Sequence, residues 1–363
     1  MKSAKNYKRI VVKVGSSVLT GGKAKIVESN LKRIAKHISD LHSQKKEVVL
    51  VTSGAIAYGL SLLGVDKRPS ILSELQAAAA IGQNILMQAY TSEFSKYQIK
   101  SAQILLTRDD FHERKRYLNI KNTIGSLFNL GVLPIVNEND TVSIDEIKFG
   151  DNDMLSALVA MLIEADGLEI LSDIEGLCKT YDKEKKSYSN LIKKVKQITP
   201  DIEIIASDTG SNICIGGMES KIEAIKIATN VGIPVVLANG LSESLDIDFS
   251  NPDKVTGTYF EASSSSLVSK KHWIAFGAKI KGKIFIDDGA TKAILNKAAS
   301  LLSPGVTSVQ GDFAAKDIVS ITDTNGVVLA KGITNYSSHQ LDKIKGKKSD
   351  KEVIHRNNLV LLK

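Results

Sequence analysis

Cysteine is scarce in this chain of 363 residues, which contains Cys178 and Cys214 and no others. Two cysteines cannot cross-link a chain of this length, so the sequence argues against a disulfide-stabilised secreted protein and favours a reducing compartment. Long hydrophobic runs are missing near the start. The apolar stretch 10–14 is interrupted by Lys13, and it is too short for a signal-peptide core or a transmembrane helix. We therefore expect a cytoplasmic protein with no membrane association.

Several catalytic signatures are absent as well. The six histidines are scattered and the two cysteines lie far apart, so no spacing predicts a zinc site, and we assign no metal ligand. The sequence has no GxxxxGK[ST] segment, which excludes a classical P-loop, and no GxSxG segment, which leaves a serine hydrolase unsupported. Hydrophobic residues make up 43% and charged residues 24%, ordinary values for a globular protein.

Positive charge is unevenly distributed along the chain. Residues 265–363 contain 16 basic and 8 acidic residues, a net charge of +8, whereas residues 1–264 contain 32 of each and balance to zero. A basic segment can mark a nucleic-acid partner, but a lysine-rich solvated surface is the more common explanation. The change in charge coincides with the serine stretch 263–266, which is suited to a linker. We therefore predict two domains, residues 1–262 and residues 267–363.

The first predicted domain alternates between strands and helices. Short apolar, β-branched segments typical of buried parallel strands occupy 10–14, 48–52, 102–106, 132–136, 167–171 and 233–238. Helical stretches occupy 27–42, 71–94, 118–130, 154–165 and 220–230. This alternation predicts an α/β fold with a mostly parallel sheet, in which ligands bind at the C-terminal ends of the strands. Residues 279–331 instead predict short strands around one helix, 289–297.

Glycine and hydroxyl residues follow the first two predicted strands. Lys13 lies in the first strand with Gly15 just beyond it, and the second strand leads into Ser53 and Gly54. Glycine lets the backbone approach a ligand closely, and N–H groups at a helix start attract anions. Each motif alone is more simply a turn, but two such motifs on neighbouring strands predict an anion site.

Two acidic and amide clusters, residues 137–140 and residues 150–153, flank one loop. One such cluster would most simply cap a helix, whereas two are typical of a site that holds the charged groups of an amino acid or orders lysines and Mg²⁺. Further along, Gly216 and Gly217 precede Lys221, which predicts a phosphate-binding loop; a mobile surface loop is the alternative. A lysine at a helix start opposes the helix dipole, which indicates a role other than stability.

Six segments of the chain resemble the amino acid kinase family, and within it the branch that phosphorylates L-glutamate. In order, they are KVGSSVLT, VTSGAIAYG, LLTRDDF, NENDTVS, GDNDMLSALVA and GGMESK. The region from about residue 260 resembles the PUA domain appended to those enzymes, a small β module otherwise typical of RNA-modifying enzymes. The resemblance covers nearly the whole chain. It implies a mainly parallel sheet between helices, a three-layer α/β sandwich, followed by a small, mainly β PUA domain.

The resemblance also implies an activity and partners. The γ-phosphoryl group of ATP would pass to the side-chain carboxylate of L-glutamate, the first step of proline biosynthesis, with Mg²⁺ bridging the nucleotide phosphates. Proline would be a feedback inhibitor, glutamyl phosphate reductase a partner, and the protein a homodimer or homotetramer. RNA binding by the tail stays open. The alternatives are an amino acid kinase that acts on a different carboxylate or on carbamate, and an RNA-binding protein with an inert kinase-like half.

The matching motifs carry over a set of site residues. Lys13 and Lys221 would neutralise the transferred phosphoryl group, and Asp153 would hold both lysines in place. The positions that match glutamate binding are Ser53, Gly54, Asp140 and Asn152. The positions that match ATP binding are Lys13, Gly15, Ser172, Asp173, Ile215, Gly216, Gly217, Met218, Glu219, Ser220 and Lys221. The family usually has glycine and threonine before the GGM segment, where this chain has Cys214 and Ile215.

Overall fold

The computed structural model describes residues 7–22, 26–65, 67–143, 152–182, 187–207, 217–263, 269–277 and 279–362. The chain divides into two compact units. The N-terminal unit comprises Met1–Asp110 and Lys115–Ser266, and the C-terminal unit comprises Phe111–Arg114 and Leu267–Lys363. The sequence did not indicate that Phe111–Arg114 belongs with the C-terminal unit, and the domain limits themselves stay a prediction. No helix within the described ranges is both long enough and apolar enough to cross a membrane.

A mostly parallel sheet forms the centre of the N-terminal unit. Its strands and hairpin are β1 (Arg9–Val14), β2 (Glu47–Val51), β3 (Lys100–Leu106), β4 (Val132–Glu138), β5 (Gly167–Ser172), β6 (Cys178–Asp182), β7 (Ser187–Leu191), β8 (Lys194–Val195), β9 (Val235–Asn239) and β10 (Thr258–Phe260). The strand order is β3-β4-β2-β1-β5-β9-β10-β8, while β6 pairs with β7. Every neighbouring pair in the large sheet is parallel except β9 and β10. The predicted parallel α/β sheet is confirmed.

Helices connect these strands, as a parallel sheet requires. They are α1 (Ser16–Thr20), α2 (Glu28–Ser43), α3 (Ala55–Leu62), α4 (Leu72–Ser95), α5 (Arg108–His112), α6 (Arg114–Asn129), α7 (Asn152–Ile163), α8 (Pro200–Ser207) and α9 (Gly217–Asn230). The five predicted helices correspond to α2, α4, α6, α7 and α9. Their ends differ from the predicted ones by a few residues, the usual uncertainty of a helix boundary.

The two faces of β1 meet different helices. Ile10, Val12 and Val14 join a core cluster to which α2 contributes Ile34 and Ile38. Since successive side chains of a strand point to opposite faces, Lys13 lies on the other face. That face is covered by α7, which contacts β1 and β5 and whose twelve residues are all buried. Helices therefore lie on both faces of the sheet, and the predicted three-layer arrangement is confirmed.

The C-terminal unit contains a five-stranded sheet with its own core. Its elements are α10 (Ser269–His272), a π-helix (Trp273–Gly277), β11 (Gly282–Ile286), α11 (Asp288–Lys297), β12 (Val306–Gln310), β13 (Ile318–Thr322), β14 (Val328–Ile333), α12 (Ser338–Ile344) and β15 (Leu359–Leu361). The strand order is β12-β11-β13-β14-β15. The predicted mainly β module is confirmed. The sequence left β15 unassigned, because three residues are too few to show a period.

Trp273 joins the segment Phe111–Arg114 to the rest of the C-terminal unit. Its indole Nε1–H donates to the carbonyl oxygen of Phe111 over 2.7 Å. The guanidinium carbon of Arg114 lies 5.2 Å from the centre of the indole ring, a cation–π contact. A tryptophan buried with its N–H paired both fills volume and orients its neighbours.

Candidate functional site

Three charged side chains singled out by the sequence meet on the α7 side of the sheet. Lys13 Nζ lies 2.5 Å from Asp153 Oδ1, and Lys221 Nζ lies 3.2 Å from Asp153 Oδ2. The side chains of Lys13 and Asp153 are 5% and 6% exposed, and that of Lys221 is 13% exposed. Lys13 comes from the end of β1, Asp153 is the second residue of α7, and Lys221 is the fifth residue of α9. We call these three residues the charge cluster.

The charge cluster has an excess of positive charge. Burial disfavours the ionised form of Asp153, but the charges and hydrogen bonds of Lys13 and Lys221 outweigh burial and lower the pKa of the carboxyl below its ordinary value. One carboxylate therefore faces two ammonium groups at neutral pH. Coulomb interactions are stronger at a site shielded from water than in bulk solvent. The cluster is suited to attract and hold an anion.

Glycine stands beside each lysine without a steric need for it. A Cβ added to Gly15 would lie 3.6 Å from Lys13 Nζ, and one added to Gly217 would lie 3.8 Å from Lys221 Nζ, both ordinary contact distances. The N–H of Gly15 donates to the carbonyl oxygen of Leu171 over 3.1 Å, so it is already used within the fold. Because glycine has no side chain, no Cβ occupies the place next to the lysine Nζ at either position.

A second polar cluster is centred on Asn152, the residue that precedes Asp153 of the charge cluster in the sequence. Its Nδ2 donates to the carbonyl oxygen of Thr52 and to Ser53 Oγ, each over 2.8 Å. Asn152 and Ser53, both predicted to bind the amino acid, are thus joined directly. Gly54 follows at the N-terminal end of α3 with φ of +103°, a backbone conformation that strongly favours glycine. For Gly54 the fold itself accounts for the residue type.

Asp140 lies on the wall of a cavity of about 280 Å³. Its lining includes the amides Gln83, Asn84 and Gln103 and a second carboxylate, Glu138. Among the residues that the structure describes, no lysine or arginine lines this cavity. Carboxylates accept hydrogen bonds from an ammonium group, and neutral amides donate to a carboxylate without adding charge. The cavity therefore has groups complementary to both charged ends of an amino acid.

The other predicted nucleotide positions are spread over two places. Ser172 ends β5, and its hydroxyl donates to Asp173 Oδ1 over 3.1 Å at the C-terminal edge of the sheet. Near the start of α9, Met218 is buried, Glu219 is exposed, and Ser220 Oγ donates to the carbonyl oxygen of Gly217 over 3.4 Å. The predicted positions Ile215 and Gly216, like Cys214 and residues 144–151, lie outside the described residues.

Two residues at the site were not among the predicted ones. Asn137 is the next-to-last residue of β4, and it lies in the cluster 137–140 that the sequence indicated without giving this residue a role. Gln83 lies in the middle of α4 and carries no local signal, because a glutamine in a helix is usually exposed to solvent. Its place beside Asn137 comes from the packing of α4.

Comparisons with known proteins identify the families to which the two regions of the chain belong. The amino acid kinase family matches residues 8–239, and the PUA domain matches residues 282–355. A glutamate 5-kinase from Thermoanaerobacter sp. (strain X514) is 43% identical over 367 residues, covering 98% of both chains. One from Dictyoglomus turgidum is 45% identical over 369 residues, again covering 98% of both.

A solved structure gives an independent likeness in fold. The carbamate kinase from Giardia lamblia bound to AMP-PNP has a TM-score of 0.50 at 18% sequence identity, covering 70% of this chain and 99% of that one. At this identity the likeness bears on the fold alone. Together with the family match over residues 8–239 and relatives that align over nearly their whole length, it leads to one assignment. The chain belongs to the amino acid kinase family and carries a PUA domain after the kinase region.

Proposed function

We propose that the chain is a glutamate 5-kinase, which transfers the γ-phosphoryl group of ATP to the side-chain carboxylate of L-glutamate. The observation that carries this proposal is the charge cluster beside Asn152. Two lysines on one buried carboxylate suit a transferring phosphoryl group, and Asn152 and Ser53 are hydrogen-bonded next to it. The relatives that bear this name align with 98% of this chain and with 98% of their own length.

In the reaction, a side-chain carboxylate oxygen of glutamate attacks the γ-phosphorus. A new P–O bond forms as the bond from the γ-phosphorus to the bridging oxygen breaks, giving L-glutamyl 5-phosphate and ADP. Both reactants are anions, so bringing them together is the main difficulty, and catalysis is largely positioning and charge stabilisation. Lys13 and Lys221 reduce the repulsion and stabilise the charge on the transferred group. Asp153 holds the Nζ atoms of Lys13 and Lys221 close together, so both can contact the same phosphoryl group.

Mg²⁺ is the divalent ion that we propose for this reaction. Where the structure describes the chain, no group of three or more His, Cys, Asp or Glu is placed to hold a metal. Mg²⁺ in kinases is bound largely by substrate phosphates and water, with one or two protein carboxylates. The residues present therefore fit an ion that arrives with the nucleotide. When bound, it neutralises phosphate charge and orients the γ-phosphoryl group.

An ADP-release assay with L-glutamate, ATP and Mg²⁺ tests the function, with hydroxylamine present to trap the acyl phosphate as a hydroxamate. We expect ADP and hydroxamate to form in equal amounts. L-Aspartate, N-acetyl-L-glutamate and carbamate serve as comparison acceptors. Release of ADP with one of these and not with glutamate would replace the proposed substrate. Binding of RNA that weakens steeply with salt, with no kinase activity on any acceptor, would favour the RNA-binding alternative.

Asp140→Ala is expected to raise the KM for glutamate about 10- to 100-fold, the effect of losing a hydrogen bond to a charged group. The KM for ATP should stay close to the parent value, since the cavity that Asp140 lines is the proposed amino acid site. Steady-state kinetics with each substrate varied in turn measure both constants. Asp201→Ala, at an exposed position on α8, is the control. Equal rises in both constants would mean that Asp140 organises the catalytic centre instead.

A chain that ends at Ser264 is expected to fold and to phosphorylate glutamate. All the proposed site residues precede residue 222, and each unit has a core of its own. The truncated chain loses Trp273 and its contacts with Phe111 and Arg114, so its Tm should be lower. Thermal unfolding and the ADP-release assay measure the two effects. A folded truncated protein with no activity at saturating substrates would mean that the C-terminal module helps to build the active site, and the proposed division of labour between the two domains would be wrong.

The remaining implications of the family stay proposals. They are inhibition by proline, assembly into a homodimer or homotetramer, a partnership with glutamyl phosphate reductase, and a cytoplasmic location. The scarcity of cysteine supports the last of these.

A further inference from the structure

Side-chain amides form a line that begins at Gln83, in the lining of the proposed amino acid cavity, and leads to Asn152. Asn152 Nδ2 donates to Asn137 Oδ1 over 3.0 Å, and Asn137 Nδ2 donates to Gln83 Oε1 over 2.8 Å. Asn137 and Asn152 are 1% and 5% exposed, so their bonds are made away from water. The three residues come from β4, α7 and α4. We call Gln83, Asn137 and Asn152 the amide relay.

Backbone groups determine which way each amide of the relay faces. The N–H of Glu138 donates to Asn137 Oδ1 over 2.9 Å, so that atom must be oxygen. The carbonyl oxygen of Thr52 lies 2.8 Å from Asn152 Nδ2 and only accepts, so that atom must be nitrogen. Asn137 Nδ2 then needs an acceptor, which makes the facing atom Gln83 Oε1. Each orientation follows from partners whose chemistry is unambiguous.

This orientation leaves one end of the Asn152 amide for a ligand. Its Nδ2 has acceptors on both sides, whereas its Oδ1 is buried and has no hydrogen-bond partner among the residues that the structure describes. A buried polar atom without a partner is costly, so a bound ligand that supplies one is favoured. An amide oxygen only accepts hydrogen bonds. Of the charged groups on an amino acid, it can bind the ammonium and not a carboxylate.

We propose that Asn137 is a positioning residue, supported by Gln83, which holds the Asn152 amide with its oxygen toward the ammonium group of the acceptor amino acid. Asn152 Nδ2 carries two hydrogens and has three acceptors within reach, the carbonyl oxygen of Thr52, Ser53 Oγ and Asn137 Oδ1. The Ser53 hydroxyl can rotate, whereas Asn137 Oδ1 is held in place by the N–H of Glu138 and is the fixed side-chain acceptor that orients the amide plane. The proposal rests on the proposed function, because it takes Asn152 as a glutamate-binding residue.

The test compares variants that keep or remove the acceptor oxygens of the relay. Asn137→Asp keeps the oxygen that accepts from Asn152, and the Gln83 amide can turn over to face the new oxygen. Asn137→Leu has a similar size but accepts nothing. We expect Asn137→Leu to raise the KM for glutamate about tenfold, the effect of one lost buried hydrogen bond, with the KM for ATP unchanged. Asn137→Asp should restore most of the affinity.

A second pair of variants keeps the test valid if Asn137→Leu fails to fold. Gln83 is partly exposed, so changes there are easier to accommodate. Gln83→Met removes the acceptor for Asn137 Nδ2, and Gln83→Glu keeps it; the first should raise the glutamate KM more than the second. Tyr90→Phe is the control. It removes a buried hydroxyl hydrogen-bonded to Thr52 Oγ1 over 2.8 Å but leaves the relay intact, so it should lower Tm without changing the glutamate KM.

Glutarate distinguishes a specific effect on binding of the ammonium group from a general effect on the structure of the site. It has both carboxylates of glutamate and no ammonium, so the Asn137 variants, which change no residue of the cavity lining, should bind it as a competitive inhibitor as well as the parent does. Equal losses for glutamate and glutarate would overturn the proposal, and so would an unchanged glutamate KM in both Asn137→Leu and Gln83→Met. A parent enzyme that does not phosphorylate glutamate would overturn the proposed function as well, whereas an active parent with unaffected variants overturns the relay alone.

Discussion

Lys13→Ala is expected to lower kcat about 100- to 1,000-fold, the loss typical of removing one preorganised group that stabilises transition-state charge. The ammonium of Lys13 is held by Asp153 at a buried position, so a water molecule cannot replace it with equal effect. Folding should be affected little. The cluster changes from two positive charges on one carboxylate to a neutral pair, because Asp153 keeps Lys221.

Matched lysines on the same elements serve as controls for this prediction. Lys8 precedes the same strand and is 60% exposed, and Lys226 lies one and a half turns beyond Lys221 on α9 with 51% exposure. Lys8→Ala and Lys226→Ala should have kcat values near that of the parent, while Lys221→Ala should resemble Lys13→Ala. Single-turnover and steady-state kinetics measure the loss. A Lys13→Ala enzyme with parental kcat would remove this residue from the catalytic assignment.

Asp153→Asn is expected to have the largest effect on stability, lowering the free energy of unfolding by about 3 kcal/mol or more. It leaves the buried ammonium group of Lys13 and the partly buried one of Lys221 facing a neutral amide, so their repulsion is no longer compensated. Urea denaturation measures the change, and the same substitution should also lower kcat because the lysines lose their common anchor. Added phosphate should restore part of the stability by taking the place of the lost negative charge. The exposed Glu164, just beyond the other end of α7, supplies the control Glu164→Gln.

The same carboxylate makes a specific contribution to acid sensitivity. The folded-state pKa of Asp153 lies below the value of 3.8 expected for the unfolded chain. Its ion pairs therefore contribute fully above pH 3.8, and the contribution is lost as the pH falls through the folded-state pKa. In Asp153→Asn, this part of the decrease in the free energy of unfolding at low pH should be absent. If the parent and the variant lose stability in parallel below pH 3.8, the carboxylate is not held in its charged form by the lysines.

Much of the fold and part of the site followed from local patterns. The buried strands are short apolar runs, and the major helices have long enough segments to be located within a few residues. Lys13 stood out because a lysine within an apolar strand has little structural reason to be there. The segment around Asn152 stood out because two acidic and amide clusters flank one loop, where a single one would suffice to cap a helix. Parallel strands end at one edge of the sheet, so even the meeting of these motifs was predictable in outline.

The partners of these residues were decided by the tertiary structure. Lys13 and Asp153 are 140 positions apart, and their pairing depends on α7 lying across β1 with its first turn over the strand end. Gln83 on α4 reaches Asn137 on β4 across 54 positions of the chain. The place of α4 is constrained by α3, which packs so closely that a Cβ at Gly82 would lie 1.8 Å from the carbonyl oxygen of Ala55. The attachment of Phe111–Arg114 to Trp273 is a similar case. The sequence by itself determined which segments form strands and helices, since periodicity and end residues are local, whereas the orientation of the Asn152 amide was decided by contacts between elements far apart in the chain.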